Sequence, residues 1–96
     1  MTPRPERLDL GTVDQALAAD ASGWVREGDR IVLERRFERF PDAITFVDRV
    51  AELAEEKDHH PNIEVRYTAV RLELWTHDAG GLTSLDLELA KAIGSL

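Results

Sequence analysis

The chain has no cysteine, so neither disulfide bonds nor thiolate chemistry is open to it. Positive charge is also scarce, because 12 Lys and Arg face 19 Asp and Glu, for a net charge of −7. Binding to phosphate backbones or anionic lipid needs clustered positive charge, so we expect no nucleic-acid partner. The sequence contains no run of about 18 apolar residues and opens without the apolar segment of a signal peptide. We therefore expect a cytoplasmic protein with no membrane partner.

The residues that are present indicate one small folded domain. Apolar residues make up 43% and charged residues 32% of 96 positions, a balance typical of globular proteins. A chain of this length holds a single core, so we expect one domain over residues 1–96. Its Pro- and charge-rich start, residues 1–7, shows no periodicity and is predicted to be a mobile lead-in.

The first half of the chain predicts a helix followed by a β-hairpin. Apolar residues recur at helical spacing from Val13, with Thr12 as the expected N-cap and Ser22-Gly23 as the expected end. Two strand-like runs then lie on either side of Glu27-Gly28-Asp29, a sequence typical of a tight turn.

The middle of the chain predicts the longest helix and a second hairpin. Pro41 suits the first turn of a helix, which we expect to stop near His59 or His60 because Pro61 disfavours α-helical backbone before it. In the next segment the apolar residues change parity, which requires a turn or bulge near Thr68-Ala69. Two antiparallel strands follow from this turn.

Thr83 and Asp86 have the spacing of a capping box and predict a last helix that ends at Gly94. The order helix, hairpin, helix, hairpin, helix predicts a two-layer α+β domain, with a four-stranded antiparallel sheet and three helices on one face. Such a sheet has unpaired outer edges, and we therefore expect the chain to form a homo-oligomer.

All three histidines fall at the ends of predicted elements. His59 and His60 close the long helix, and His77 follows the last strand. Histidine titrates near neutral pH without special tuning, which makes these side chains candidates for proton transfer. Glu55 precedes His59 by four residues, so we expect the two side chains to meet on one helical face, with His60 pointing elsewhere.

Plainer interpretations of the same residues remain open. A histidine cation near a helix C-terminus is favourable simply because it meets the negative end of the helix dipole. Asp86 has an equally ordinary role in the first turn of the last helix. Glu55 and His59 could chelate a metal with His77 as a third ligand, but without cysteine or a second helical pair we expect no metal site.

The separations between the candidate residues carry a resemblance to a known family. The chain resembles the signature of the pterin-4a-carbinolamine dehydratases in both residue types and spacing. The matching residues are Glu55, then after three further residues "HHP" at 59–61, Tyr67 after five more, His77 after nine more and Asp86 after eight more. The segments "EEKDHHP", "THDAGGLT" and "LDLELAKAI" are similar to that family too, and the order of elements agrees from residue 8 to 96.

The resemblance implies dehydration of a 4a-hydroxytetrahydropterin to the quinonoid dihydropterin, which recycles the pterin for an aromatic amino acid hydroxylase. It implies that no metal or redox cofactor is needed, since the pterin is the substrate. It also implies that the chain forms a homodimer or homotetramer. By similarity His59, His60 and His77 are the catalytic residues, with His59 and His77 in acid–base roles. The residues expected to bind or orient the substrate are Glu55, Asp58, Pro61, Thr76 and Asp86.

Two points of the resemblance stay open at this stage. Members of the family often have a small residue before the "TH" pair, whereas this chain has Trp75, whose indole either joins the core or narrows the pocket. The alternative to an enzyme is a non-catalytic pterin-binding or assembly protein of the same fold, either molybdopterin-related or like a transcription cofactor.

Overall fold

The computed structural model describes residues 5–20 and 23–96. In chain order its elements are α1 (Leu10–Ala19), β1 (Val25–Glu27), β2 (Arg30–Arg36), α2 (Phe40–Lys57), β3 (Asn62–Arg66), β4 (Ala69–Leu74) and α3 (Ser84–Gly94). A short 3-10 turn, His77–Ala79, joins β4 to α3. The strands form one antiparallel sheet in the order β1-β2-β4-β3, which confirms the predicted α+β fold. Within the described ranges, no helix combines the length and apolar character needed to span a membrane.

The sheet has one buried face and one charged face because side chains alternate along each strand. On β4, Val70, Leu72 and Leu74 are buried against the helices. Arg71 lies on the opposite face, among carboxylates from β1, β2 and β4 itself. The helical part of the core comprises Val13 from α1, Ala43, Phe46 and Val50 from α2, and Leu89, Ala90 and Ile93 from α3.

The start of α1 differs from the prediction, because Asp9 and not Thr12 is its N-cap. The Asp9 carboxylate accepts a hydrogen bond from the Thr12 N–H at 3.3 Å. Asp and Thr are comparably good N-caps, and the apolar stripe that begins at Val13 does not distinguish them. The helix ends at Ala19, while Ser22 of the predicted stop lies outside the described residues.

Both predicted hairpins are present. The first turns at Gly28-Asp29, where Gly28 adopts a φ of 63° that glycine reaches without steric cost. The second turns at Tyr67-Thr68, because Arg66 pairs with Ala69 and leaves two residues for the loop. Tyr67 occupies the left-handed region at φ 54° and leaves its ring 74% exposed.

The long helix stops earlier than predicted, at Lys57 instead of His59 or His60. Asp58 adopts the left-handed conformation, with φ 50° and ψ 43°, and its N–H bonds back to the carbonyls of Ala54 and Glu55. This residue ends the helix before Pro61 can exert its own restriction. His59 and His60 therefore lie in the non-helical segment that leads into β3.

Part of the predicted lead-in packs against the loop before α3. The Leu8 N–H donates to the Leu82 carbonyl at 2.7 Å. The Arg7 side chain lies so close to Gly81 that an added Cβ there would be 2.6 Å from Arg7 Cδ. Residues 1–4 lie outside the described residues, and the mobility of residues 1–7 stays a prediction.

Candidate active site

A cleft of about 470 Å³ opens where α2 ends, β3 begins and β4 ends. All three histidines line it, although the whole β3–β4 hairpin separates His77 in sequence from the other two. Its walls include His59, His60 and His77, together with Asp58, Trp75 and Thr76. Glu55, Pro61 and Asp86 do not line the cleft, but Glu55 and Asp86 each hold a histidine that does.

His59 points inward to a buried carboxylate. Its Nε2 atom lies 2.6 Å from Asp86 Oδ1, and its side chain is only 12% exposed. An ionised carboxylate only accepts hydrogen bonds, so the Nε2 atom carries the proton. Nδ1 is then the ring nitrogen that remains for proton exchange with a ligand.

Asp86 is fully buried at 0% exposure and receives two further hydrogen bonds. The Thr76 hydroxyl donates to its Oδ2 atom at 2.8 Å, and the Thr83 N–H donates to the same atom at 2.9 Å. The second bond belongs to the predicted capping box of α3, which is confirmed. A buried charge is tolerated when its lone pairs are satisfied, as they are here.

His60 has a different environment, because it points outward and hydrogen-bonds to Glu55. Its side chain is 55% exposed and that of Glu55 is 78% exposed. The sequence-based pairing of Glu55 with His59 is therefore wrong. That pairing assumed that the helix continues through residue 59. Asp58 ends the helix, and the hydrogen-bond partner of Glu55 is therefore His60 and not His59.

The loop after β4 carries His77 to the cleft. Thr76 and Gly81 form an isolated antiparallel bridge, with the Thr76 N–H donating to the Gly81 carbonyl at 2.9 Å. His77 begins the 3-10 turn immediately after Thr76 and is exposed to solvent. The bridge thus anchors the backbone of this imidazole, while its side chain stays accessible to a ligand.

Trp75 both joins the core and lines the cleft, the two alternatives that the sequence left open. Its indole is half-buried and packs against the core, and it also lines the cleft. The Arg30 guanidinium lies 4.1 Å from the centre of its ring, in a cation–π contact. Glu73 accepts hydrogen bonds from both Arg30 and Asn62, which ties this wall of the cleft to β2 and β3.

Two sets of ion pairs outside the cleft shift the pKa of their members. A hydrogen bond from Arg26 lowers the pKa of Asp14 and joins β1 to α1. On the charged face of the sheet, hydrogen bonds to Glu27 and Glu34 raise the pKa of Arg71. These pairs connect elements of the fold and lie outside the cleft.

Sequence reasoning missed two contributors to the site. It treated Thr83 only as a helix cap, whereas its hydroxyl also reaches Thr76 at 2.6 Å beneath the cleft. It also gave no role to Asn62, which lines the cleft and bonds to Glu73. The capping-box spacing was a usable signal for Thr83, because that motif fixes its position beside Asp86.

In the part of the chain that the structure describes, no three His, Asp or Glu side chains gather as a metal-binding set. The cleft instead brings together imidazoles in two settings, one partly buried and held by a carboxylate and two exposed. This arrangement can hold and move protons on a ligand. It defines the class of protein as a small α+β domain with a histidine-lined cleft.

Comparison with known proteins identifies the family. A family model described as pterin 4 alpha carbinolamine dehydratase matches residues 6–96, and the chain belongs to this family. A curated relative from Thermomicrobium roseum, named "Putative pterin-4-alpha-carbinolamine dehydratase", is 48% identical over 90 residues. That match covers 94% of this chain and 96% of the relative.

Two solved structures share the fold. A transcriptional coactivator/pterin dehydratase from Brucella melitensis superposes with a TM-score of 0.87 at 32% identity, covering 94% of this chain and 97% of the other. A pterin dehydratase-like protein described as a RuBisCO assembly factor in the alpha-carboxysome superposes with a TM-score of 0.65 at 24% identity, covering 76% and 87%. The second likeness concerns the fold alone.

Proposed function

We propose that this protein is a dehydratase that converts 4a-hydroxytetrahydropterin to quinonoid dihydropterin. The observation that carries the proposal is the convergence of His59, His60 and His77 on one cleft, with His59 held by the buried Asp86. Membership of the family supports the choice of a pterin as the ligand. The same proposal places the protein in the cytoplasm, where it would regenerate the pterin for an aromatic amino acid hydroxylase.

The reaction needs one acid and one base. The C4a–O bond breaks as the hydroxyl receives a proton and leaves as water, the N5–H proton is removed, and its electron pair forms the C4a=N5 double bond. No electrons are exchanged with an outside group, so the proton transfers alone balance the step. Two imidazoles that line one cleft suit this requirement, since each can give or take a proton near neutral pH.

The environments of the histidines suggest their roles. Asp86 favours His59 as the base, because the carboxylate stabilises the imidazolium that forms when Nδ1 accepts the N5 proton. His77, which is exposed and lines the same cleft, is then the acid that protonates the leaving hydroxyl. His60, which hydrogen-bonds to Glu55 and lines the cleft, serves to orient the substrate.

A stopped-flow assay of synthetic 4a-hydroxytetrahydropterin tests the proposal. We expect His59→Ala and His77→Ala each to lower kcat by about two to four orders of magnitude, the usual worth of an acid–base group. His60→Ala should act mainly on KM. Glu56→Gln, on an exposed part of α2, is the matched control and should retain full activity.

Two outcomes of this assay would contradict the mechanism. One is unchanged kcat in both histidine variants while circular dichroism shows them folded. The other is loss of activity on dialysis against EDTA with recovery on adding a divalent metal, because the proposed step uses no metal.

We also propose that the protein forms a homodimer or homotetramer through the edge of β3. All five residues of this strand are exposed, including Ile63 and Val65 at 38% each, although both lie on the apolar side of the sheet. Next to them the exposed rings of Phe40 and Tyr67 stack at 6.1 Å. An apolar edge strand is a surface that a second copy would cover.

Size-exclusion chromatography with light scattering tests this surface. Val65→Lys should shift the protein to monomer, whereas Glu56→Lys, exposed on α2, should leave its size unchanged. A wild-type protein that is monomeric at micromolar concentration would refute the interface.

The alternative is a binding or assembly protein that keeps the fold without catalysis. The exposed edge of β3 favours it, since strand addition is a common way to bind a partner segment. Wild-type protein that binds a pterin without accelerating carbinolamine breakdown would support this alternative over the enzyme.

A further inference from the structure

Three buried side chains, of which Thr76 is part of the cleft wall, form a continuous set of hydrogen bonds. Thr83 is 0% exposed, Thr76 5% and Asp86 0%. The Thr76 and Thr83 hydroxyl oxygens lie 2.6 Å apart, and the Thr76 hydroxyl lies 2.8 Å from Asp86 Oδ2. Both threonines are thus connected to the carboxylate that holds His59.

The direction of each bond follows from the number of protons available. A hydroxyl has one proton to donate, and Thr76 gives its proton to Asp86, whose ionised carboxylate can only accept. The proton between the two threonines must therefore come from Thr83. The Thr83 oxygen in turn accepts the Leu85 N–H at 3.2 Å. Each hydroxyl therefore has one defined orientation. The bonds donate in one direction, from the backbone N–H of Leu85 through Thr83 and Thr76 to the Asp86 carboxylate.

We propose that Thr76 and Thr83 are positioning residues for His59, acting through Asp86. This inference rests on the proposed function only where it concerns the reaction rate. Asp86 Oδ2 is held by the Thr76 hydroxyl and the Thr83 N–H, so the carboxylate cannot rotate without breaking both bonds. Oδ1 is then fixed toward His59, which keeps the proton on Nε2 and the lone pair on Nδ1.

The arrangement also connects the first turn of α3 to His59, because Asp86 belongs to that turn. The capping box that starts the helix uses the same carboxylate that holds the imidazole. The Thr76 hydroxyl, by contrast, takes no part in the cap, because Thr83 still accepts the Leu85 N–H without it. Substituting Thr76 thus perturbs the support of His59 and leaves the cap of the helix in place.

The decisive comparison is Thr76→Val against Thr76→Ser. Valine keeps the shape but loses the hydroxyl, and we expect a fall in kcat of about tenfold, as for one hydrogen bond to a charged group. KM should stay within about twofold, because Thr76 acts through Asp86. Serine keeps the hydroxyl and should restore kcat to within about twofold of the wild type. A fall in melting temperature with unchanged kcat would refute the positioning role.

A double-mutant cycle tests whether the effect passes through Asp86. In the Asp86→Asn background, Thr76→Val should change kcat by less than about twofold, since asparagine already removes the Nδ1 lone pair that Thr76 helps to orient. An additive tenfold loss in that background would overturn the inference.

Nuclear magnetic resonance of the free protein gives a measurement that needs no substrate. In the wild type we expect the neutral His59 ring to carry its proton on Nε2, and the hydroxyl protons of Thr76 and Thr83 to exchange slowly with water. Thr76→Val should speed the exchange of the Nε2 proton by about tenfold. Rapid exchange of both hydroxyl protons in the wild type would refute the arrangement, even if Thr76→Val does not fold. If the wild type lacks dehydratase activity, these signals still decide this inference separately.

Discussion

Replacing Asp86 by asparagine should reverse the tautomer of His59. The Thr83 N–H can only donate, and it bonds to Oδ2, so the amide oxygen of Asn must take that position. The amide nitrogen then faces His59 in place of Oδ1, where the wild-type contact is 2.6 Å. Since an amide N–H donates, Nε2 must accept, and the proton of the neutral ring moves to Nδ1. The lone pair that would accept the N5 proton is lost.

The expected effect on kcat is a fall of about two to four orders of magnitude, the worth of a general base. The effect on folding should be smaller. Losing a negative charge at the N-terminus of α3 costs about 0.3–1 kcal/mol, and weakening one charge-assisted hydrogen bond costs about 1 kcal/mol more. For a domain of this size, about 2 kcal/mol corresponds to a fall in melting temperature of roughly 10 °C. The variant should therefore remain folded at 25 °C.

Stopped-flow turnover, thermal melting and the side-chain 15N spectrum of His59 together test this reasoning. A folded Asp86→Asn protein with kcat within about twofold of the wild type would refute it. So would a spectrum in which the neutral ring keeps its proton on Nε2.

Three further predictions concern the cleft and the frame around it. Trp75→Ser should raise KM for the pterin about two- to tenfold with little change in kcat, because an aromatic contact is worth about 0.5–1.5 kcal/mol. Arg30→Ala, which removes the stacked cation, should shift KM in the same direction by a smaller factor in the same assay. Asp14→Asn should make the free energy of unfolding fall less steeply as the pH is lowered. Arg26 lowers the pKa of folded Asp14, so the wild type gains stability above about pH 4 that it loses as pH falls through the folded pKa.

Each of these has a clear contrary result. Unchanged KM in Trp75→Ser would mean that the indole serves the core alone. A KM effect in Arg30→Ala larger than that in Trp75→Ser would mean that the guanidinium acts on the substrate directly. Urea unfolding at pH 7 and pH 3 checks the last prediction, and equal pH dependence in wild type and Asp14→Asn would contradict it.

The fold could be predicted from the sequence because each element carries a local signal. The parity change between Tyr67 and Val70 demanded a turn, and the spacing of Thr83 and Asp86 marked the start of α3. These signals involve residues within a few positions of each other. They give the element order without any knowledge of long-range contacts.

The partners of the histidines could not be predicted in the same way. Asp86 lies 27 residues from His59, and no local rule joins them. The assignment of Glu55 was wrong because the helical spacing rule holds only while the helix continues, and one left-handed residue ended it. The resemblance to the family brought the candidate residues together, but their pairing required the tertiary structure.

The left-handed conformation of Asp58 has a consequence for how this chain can vary. Asp, Asn and Gly enter that region at little cost, whereas a β-branched residue there is strongly disfavoured. A valine at this position would favour continuation of the helix, in which successive side chains lie about 100° apart around the axis, and would reorient both following imidazoles. The inward and outward orientations of two adjacent, chemically identical side chains thus depend on one pair of backbone dihedral angles, and variation at position 58 should be confined to residues that tolerate them.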